Sequence, residues 1–335
     1  MKRLTDAIRE FAVRDRHGPP DFERTLGPET FTGDGDLVTR ILFDRLRPED
    51  VREVITRSAR DPELSRMPPI GDDPPVRRWL TLNYGTWLAM PEVIERTGLK
   101  PDQPPPGVHA MARGPLAAAG GLGEADLVLA ALRSAGTDLA QVGEALDFGC
   151  SSGRVVRALN AAFPEVRWHG CDPNPGAIDW ASRHIDGVEF FVSPQEPPLA
   201  VEEGKLDLVY AISIWSHFGP ELGLRWFEEM RRLIRPGGHL VFTTHGQQSV
   251  AYYVEKGDRS AAQGHEIIDS LYRHGYWYAS EFGEAGDAGV VNPQWGTAFL
   301  SAEWVLSRLC PRWQALEYAA GRNQNNQDVY VLQRV

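Results

Sequence analysis

The stretch EALDFGCSSGRVVRAL, residues 144–159, constrains this chain more than any other. A short apolar run ends at Gly149, small residues follow to Gly153, and an amphipathic run begins. The pattern predicts a buried strand over 144–149, a tight turn, and a helix over 153–163. Glycines at such a turn let a ligand approach the main chain, and the first N–H groups of the helix are free to meet it. The same alternation continues downstream. Strands are predicted at 166–172, 188–193, 205–215 and 235–246, and helices at 174–185 and 221–234. Strands alternating with helices predict a doubly wound α/β fold whose parallel sheet is covered on both faces. The end departs from that rhythm. Runs 313–321 and 327–335 are separated only by RNQNN, which is too short for a parallel crossover and predicts an antiparallel hairpin.

The first hundred residues read differently. Helical spacing covers 34–59, interrupted at Pro48, and 77–99, punctuated by Gly85 and Pro91. The proline-rich KPDQPPPGVH, 100–109, reads as a stiff connector, and 123–136 as one more helix. The expected organisation is a helical N-terminal region or cap over 1–110, followed by an α/β domain over 111–335 with a long insertion at 246–300. The opening MKRLTDAIREFAVRDRHGPP lacks the apolar core and cleavage site of a secretory signal, and no apolar run is long enough to span a bilayer. These features predict a cytoplasmic protein with no membrane partner. Three cysteines, Cys150, Cys171 and Cys310, show no metal-binding spacing and are too few for a disulfide framework. A net charge of −11 argues against a phosphate-backbone partner, so no nucleic acid is expected.

The ligand can be narrowed. A dinucleotide fingerprint needs G-x-G-x-x-G, but Ser151 and Arg154 stand at its second and third glycine positions. Asp147 lies inside the apolar run of the first strand, where an acid is costly to bury without a partner. Asp172 ends the second strand, the place from which a carboxylate reaches ribose hydroxyls. Four motifs then occur in order: LDFGCSSGR, GCDPNPGAIDWA, LDLVYAISIWSHF and RRLIRPGGHLVFTTHG. Together they resemble the class I S-adenosylmethionine-dependent methyltransferases over roughly 140–335, and the closing QDVYVLQR resembles that family's antiparallel last strand. The resemblance implies a seven-stranded Rossmann-like methyltransferase sheet, S-adenosyl-L-methionine as cofactor, and methyl transfer. It also implies that Gly149 and Gly153 shape the loop at the methionine portion and that Asp172 holds the ribose. The candidate cofactor contacts along these motifs are Asp147, Gly149, Cys150, Gly153, Arg154, Asp172, Pro173, Asn174, Gln195 and Ser213. Two departures stand out. Serines replace at least one family glycine at 151–152, and the loop after the third strand, SPQEPPL, lacks the acid many members direct at the adenine, leaving Gln195 or Ser193.

Methyl transfer needs an aligned nucleophile, and a hydroxyl acceptor benefits from a base. His217 and His245 follow the fourth and fifth strands, at the ends expected to face the crevice, and are the candidate catalytic residues. His169 lies within the second strand and reads as structural; His239 begins the fifth strand, at the opposite end. The tetrapeptide of amino-methylating nucleic-acid enzymes is absent, and Asp287 and Asn292 form no metal motif. The insertion is dense in Tyr and Trp, including Tyr276, Trp277, Tyr278 and Trp295, and reads as an acceptor lid. Tyr84 and Trp87 of the N-terminal region are expected on the opposite wall. The reading is O-methylation of a small molecule or glycosyl unit. A peptide or protein side-chain methyltransferase and a non-catalytic cofactor-binding partner subunit are the alternatives.

Overall fold

A computed structural model describes residues 33–109, 111–137, 139–282, 286–287, 289–309 and 311–335. The signal-peptide reading of residues 1–20 and the reading of Cys310 lie outside the described residues. The front of the chain folds as α1 (Leu37–Phe43), α2 (Pro48–Ser58), α3 (Pro74–Trp87), α4 (Pro91–Thr97) and α5 (Leu122–Ser134). Then follow β1 (Glu144–Phe148), α6 (Arg154–Ala162), β2 (Arg167–Asp172), α7 (Pro175–His184), β3 (Val188–Val192), β4 (Leu206–Ala211), α8 (Pro220–Leu233) and β5 (Ile234–His245). The insertion holds α9 (Gln247–Lys256), α10 (Ala261–His274) and a hairpin of β6 (Tyr276–Ala279) and β7 (Thr297–Leu300). The chain closes with α11 (Ala302–Leu309), β8 (Trp313–Asn323) and β9 (Gln327–Arg334).

Seven strands form one sheet in the order β3-β2-β1-β4-β5-β9-β8. The pairs from β3 to β5 are parallel. β9 runs antiparallel between β5 and β8, as the short RNQNN link requires. Successive side chains point to opposite faces, and both faces are apolar. Ala145, Leu208, Tyr210, Val241 and Val329 pack with the N-terminal helices on one face. Leu146, Phe148, Val209, Phe242 and Tyr330 pack on the other against α8, α11 and the β6–β7 hairpin.

The N-terminal helices thus share a core with the sheet. Asp126 of α5 ties them in: its carboxylate accepts from the backbone N–H groups of Val38 (2.6 Å) and Thr39 (3.2 Å) and from the Thr39 hydroxyl (2.6 Å). An acid at the start of α1 also meets the positive end of that helix. The connector 100–109 is likewise held down, because the Arg157 guanidinium on α6 donates to the carbonyls of Lys100 and Asp102. Tyr84 and Trp87 do not stand opposite the insertion as expected. Tyr84 is fully buried among the α-helical core residues and donates to the Pro68 carbonyl at 2.8 Å, and Trp87 packs against the same core. Among the described residues, no helix is long and apolar enough to cross a membrane.

Candidate functional site

A cavity of about 400 Å³ opens at the carboxyl ends of β1 to β4, the place where doubly wound sheets take ligands. Its floor is the turn after β1. Gly149 has φ +80°, and the Ile214 side chain occupies the space that a side chain there would take. Both the left-handed backbone and the close approach of Ile214 therefore require glycine. Ser151 takes φ +48°, a left-handed conformation that strains a residue other than glycine. Gly153 is also left-handed, but its missing side chain makes room for Ile185 and Phe190 rather than for a ligand.

Two carboxylates meet at this floor. Asp172 accepts from the Ser151 N–H (2.8 Å) through one oxygen and from the Asn174 N–H (2.9 Å) through the other. Burial pushes its carboxyl above the usual range, although both N–H groups favour the charged form. Asp147 is buried, and its Oδ2 has no hydrogen-bond partner. Burial pushes Asp147 up to about 7; the nearby Tyr210 hydroxyl only moderates that, and it makes no hydrogen bond of normal geometry. Cys150 lies beside them with its thiol kept protonated by burial.

The walls come from farther away. Arg154 lines one side and is ion-paired with Glu124 of α5 at 2.7 Å. His109 of the connector lines the same side and pairs through Nδ1 with the Ser152 hydroxyl at 2.9 Å. Burial first, then the Arg154 charge, push His109 down to about 4. Pro173, Ser193 and Gln195 line the edge beyond β2 and β3.

The far end is built around the turn after β4. Ser213 has φ +63° and is held by a closed polar circuit. Its N–H donates to Thr243 Oγ1 (2.8 Å), Thr243 donates to Gln327 Oε1 (2.7 Å), and Gln327 Nε2 donates back to Ser213 Oγ (2.6 Å). A segment of the insertion then zips onto residues 216–219. The N–H groups of Gly296 and Ala298 donate to the carbonyls of His217 (2.8 Å) and Ser216 (2.7 Å), and the Gly219 N–H donates to the Gln294 carbonyl (2.8 Å). This pairing fixes His217. Its Nδ1–H donates to the Gly296 carbonyl at 2.9 Å, and its ring stacks on Trp295 with centroids 4.6 Å apart. Nε2 is left as an acceptor on the cavity wall, with no protein partner among the described residues. Burial lowers the His217 pKa despite the Gly296 hydrogen bond and the Asp287 charge, so the ring is neutral at neutral pH.

Of the sequence-predicted residues, Asp147, Gly149, Cys150, Arg154, Asp172, Pro173, Gln195, Ser213 and His217 line the cavity. Gly153, Asn174 and His245 are not among its lining residues. Asn174 instead caps α7, accepting from the N–H groups of Gly176 and Ala177. His245 is buried with both nitrogens engaged: Nδ1–H donates to the Ala298 carbonyl (3.1 Å), and Nε2 accepts from the Tyr253 hydroxyl (3.0 Å). Burial and the neighbouring His217 push it down to about 3. The β6–β7 hairpin, folded over the end of β5, separates the two histidines that the sequence treats alike. Within the aromatic run, the Tyr276 and Tyr278 hydroxyls donate to the Phe218 and Pro293 carbonyls, and Trp277 packs on Phe299. None of these three lines the cavity, whereas Asp287, Val290, Asn292 and Trp295 do. His109 was missed because a proline-rich run reads as linker; only the histidine at its end hinted otherwise.

Comparison with known proteins adds the following. Residues 146–240 match the sequence profile of a family described as a methyltransferase domain. A malonyl-[acyl-carrier protein] O-methyltransferase of Hahella chejuensis is 33% identical over 100 residues, 30% of this chain and 35% of that protein. The tRNA N(3)-methylcytidine methyltransferase trm141 of Schizosaccharomyces pombe is 32% identical over 124 residues, 34% of this chain and 50% of that protein. The chain therefore spans between about a third and half of the length of these curated relatives. A SAM-dependent methyltransferase structure from Methanosarcina mazei aligns with 18% identity and a TM-score of 0.41, covering 57% of this chain and 92% of that one.

Proposed function

We propose that this chain, whose residues 146–240 match a methyltransferase-domain profile, transfers the methyl group of S-adenosyl-L-methionine to a hydroxyl oxygen of a small-molecule or glycosyl acceptor. The residues present fit that cofactor. The unpartnered Asp147 Oδ2 is a buried acceptor awaiting a donor, as the cofactor's ammonium group would provide. The two Asp172 oxygens, each holding one backbone N–H, keep lone pairs for ribose hydroxyls. The Gly149 turn brings Cys150 and Ser151 to the cavity beside them.

The observation that carries the reading is His217, neutral, tautomer-fixed by the Gly296 carbonyl and presenting Nε2 to the cavity. When bound at Asp147 and Asp172, the cofactor would supply an electrophilic methyl group for the acceptor oxygen, its sulfur keeping the electron pair of the broken bond. His217 Nε2 takes the hydroxyl proton as that bond forms. Trp295 holds the imidazole plane, and the wall of Phe218 and Trp226 keeps water away from it. In this reading Asp287, Val290 and Trp295 act as the acceptor lid, and the N-terminal region contributes the connector wall at His109 rather than a cap.

The relatives' names leave the acceptor class open between a carboxyl on a carrier protein and a tRNA base as well as a hydroxyl. One experiment separates them. Wild-type chain and labelled S-adenosylmethionine are incubated with small-molecule and glycoside pools, malonyl-carrier protein and tRNA, and products are read by mass spectrometry. Label in an O-methyl ether, lost with His217→Gln, supports the reading. Label confined to a methyl ester or to RNA overturns it, and no binding of S-adenosylhomocysteine in calorimetry overturns the cofactor itself.

A further inference from the structure

The charges around the cavity are unbalanced. Asp147, Asp172 and Asp287 line it, and among the described residues Arg154 is the only lysine or arginine that does. Arg154 is already matched by Glu124. Histidines His109 and His217 line it too, and burial disfavours the charged form of both. In the proposed function, two of the three carboxylates have work at the cofactor end: Asp147 toward an ammonium, Asp172 toward hydroxyls. Asp287 has none. It sits in the tight turn where the Asp287 and Val290 backbones bond each other, at the His217 end of the cavity. Among the described residues its one side-chain hydrogen bond is a long one, 3.4 Å from Trp295 Nε1 to Oδ2. No cationic side chain pairs with it among the described residues.

The surfaces beside Asp287 are aromatic. Trp295 faces His217, Phe218 meets Trp295 edge-on at 5.5 Å, and Phe218 stacks with Trp226 at 6.1 Å. An unpaired carboxylate set against an aromatic wall favours a cationic nitrogen: the carboxylate accepts its N–H groups, and the apolar surroundings strengthen the attraction. A carboxylate or phosphate on the acceptor would instead meet Asp287 as a like charge in a partly buried site.

We propose that Asp287, with the Trp295–Phe218–Trp226 wall, selects an acceptor that carries a protonated amine in addition to the hydroxyl that is methylated. This rests on the methyl-transfer reading and narrows it: the acceptor is an amino alcohol, aminophenol or amino sugar in type, not an acyl carrier or a nucleic acid. Asp287 is a binding residue for the amine. His217 remains the group that takes the hydroxyl proton.

Three matched probes test it: para-hydroxybenzylamine, para-hydroxybenzyl alcohol and para-hydroxybenzoate, which share a ring and a phenol and differ in charge. Their affinities for the full chain saturated with S-adenosylhomocysteine are measured by calorimetry at neutral pH. The expected order is amine, then alcohol, then carboxylate, with the amine about tenfold or more above the alcohol. In Asp287→Asn the amine's advantage shrinks to about twofold, while affinity for S-adenosylhomocysteine and the melting temperature stay at the wild-type values. The inference is overturned if the carboxylate binds as well as the amine, if none of the three binds, if the order survives in Asp287→Asn, or if that variant loses S-adenosylhomocysteine. Failure of wild type to bind S-adenosylhomocysteine at all overturns the methyl-transfer reading instead, which keeps the two failures apart.

Discussion

The two ends of the cavity are assembled by different means. At the β1 end, Gly149, Cys150, Ser151 and Arg154 are near neighbours in sequence, and Asp172 follows on the adjacent strand. The backbone itself builds that end, through left-handed turns whose N–H groups tie β1 to the end of β2. At the β4 end, residues 216–219 are fixed only when residues 294–298 pair with them, about eighty positions later. A short motif can specify the first end; the second exists only in the folded chain. Substitutions should divide accordingly, with cofactor affinity responding at one end and rate or acceptor affinity at the other.

The sharpest division concerns the histidines. His217→Ala should cut turnover by roughly 10²–10⁴ with S-adenosylhomocysteine affinity nearly unchanged. His245→Ala should act through stability, because it orphans the Ala298 carbonyl and the Tyr253 hydroxyl at a cost of roughly 1–3 kcal/mol. Single-turnover rates and thermal melts on both variants break the comparison if His245 proves the more costly for rate. Because the His217 pKa is lowered, the acidic limb of the rate profile should lie below the ordinary histidine range, with the plateau already reached at neutral pH.

At the opposite end Asp172→Ala should weaken S-adenosylhomocysteine by roughly a hundredfold, two hydrogen bonds to a charged acceptor being lost, and change the acceptor's KM little. Equal loss at both ends would mean that the ends are not separable.

A pH series sharpens the picture further. Asp147 rises from its ordinary 3.8 to about 7 in the folded, ligand-free chain. Its contribution to stability is therefore present below about 4 and is lost as pH rises through about 7. In the proposed reading the cofactor's ammonium group meets the Asp147 carboxylate, so affinity should fall as pH drops below about 7, by up to about tenfold per unit. Asp147→Asn should flatten both trends, measured as melting temperature and S-adenosylhomocysteine affinity between about pH 5 and 8. Unchanged trends in that variant would assign them to another group, such as Asp126, which burial also raises to about 7.

The smallest effect tests the rim. Trp277 packs on Phe299, lies near Arg259 and donates to Glu266 at 3.1 Å, away from the cavity lining. Trp277→Ala should lower the melting temperature by a few degrees, since a half-buried ring is worth roughly half of the 3–5 kcal/mol of a buried one. The acceptor's KM should not move; a raised KM at constant melting temperature would return Trp277 to the lid.

The sheet was legible because its strands are short, apolar and punctuated by glycine and proline, and the closing hairpin because RNQNN permits little else. Asp147 and Asp172 were legible as acids at places where acids are costly or useful. His245 was misread as equivalent to His217 because both follow strands; only the β6–β7 hairpin, a long-range element, buries one and leaves the other on the cavity wall. Tyr84 and Trp87 were misread as a wall because helical amphipathicity marks which residues seek a core, not which core they find. Asp287 carries no signal of its own in the sequence, since its setting depends on Trp295 and on the turn that brings it to the cavity.

The position of β9 has a consequence for how the molecule comes into being. β5 is hydrogen-bonded along one edge to β4, which precedes it, and along the other to β9. On a ribosome adding about 5–20 residues per second, the second edge waits for some eighty further residues, or roughly 4–16 seconds. During that interval the row Leu240–His245 presents unpaired backbone donors and acceptors to any other strand that passes. The nascent chain is thus most exposed to wrong partners when its first five strands are already made. What closes that window is the arrival of Gln327–Arg334, which completes the sheet and, through Gln327, also locks the Ser213 turn at the cavity.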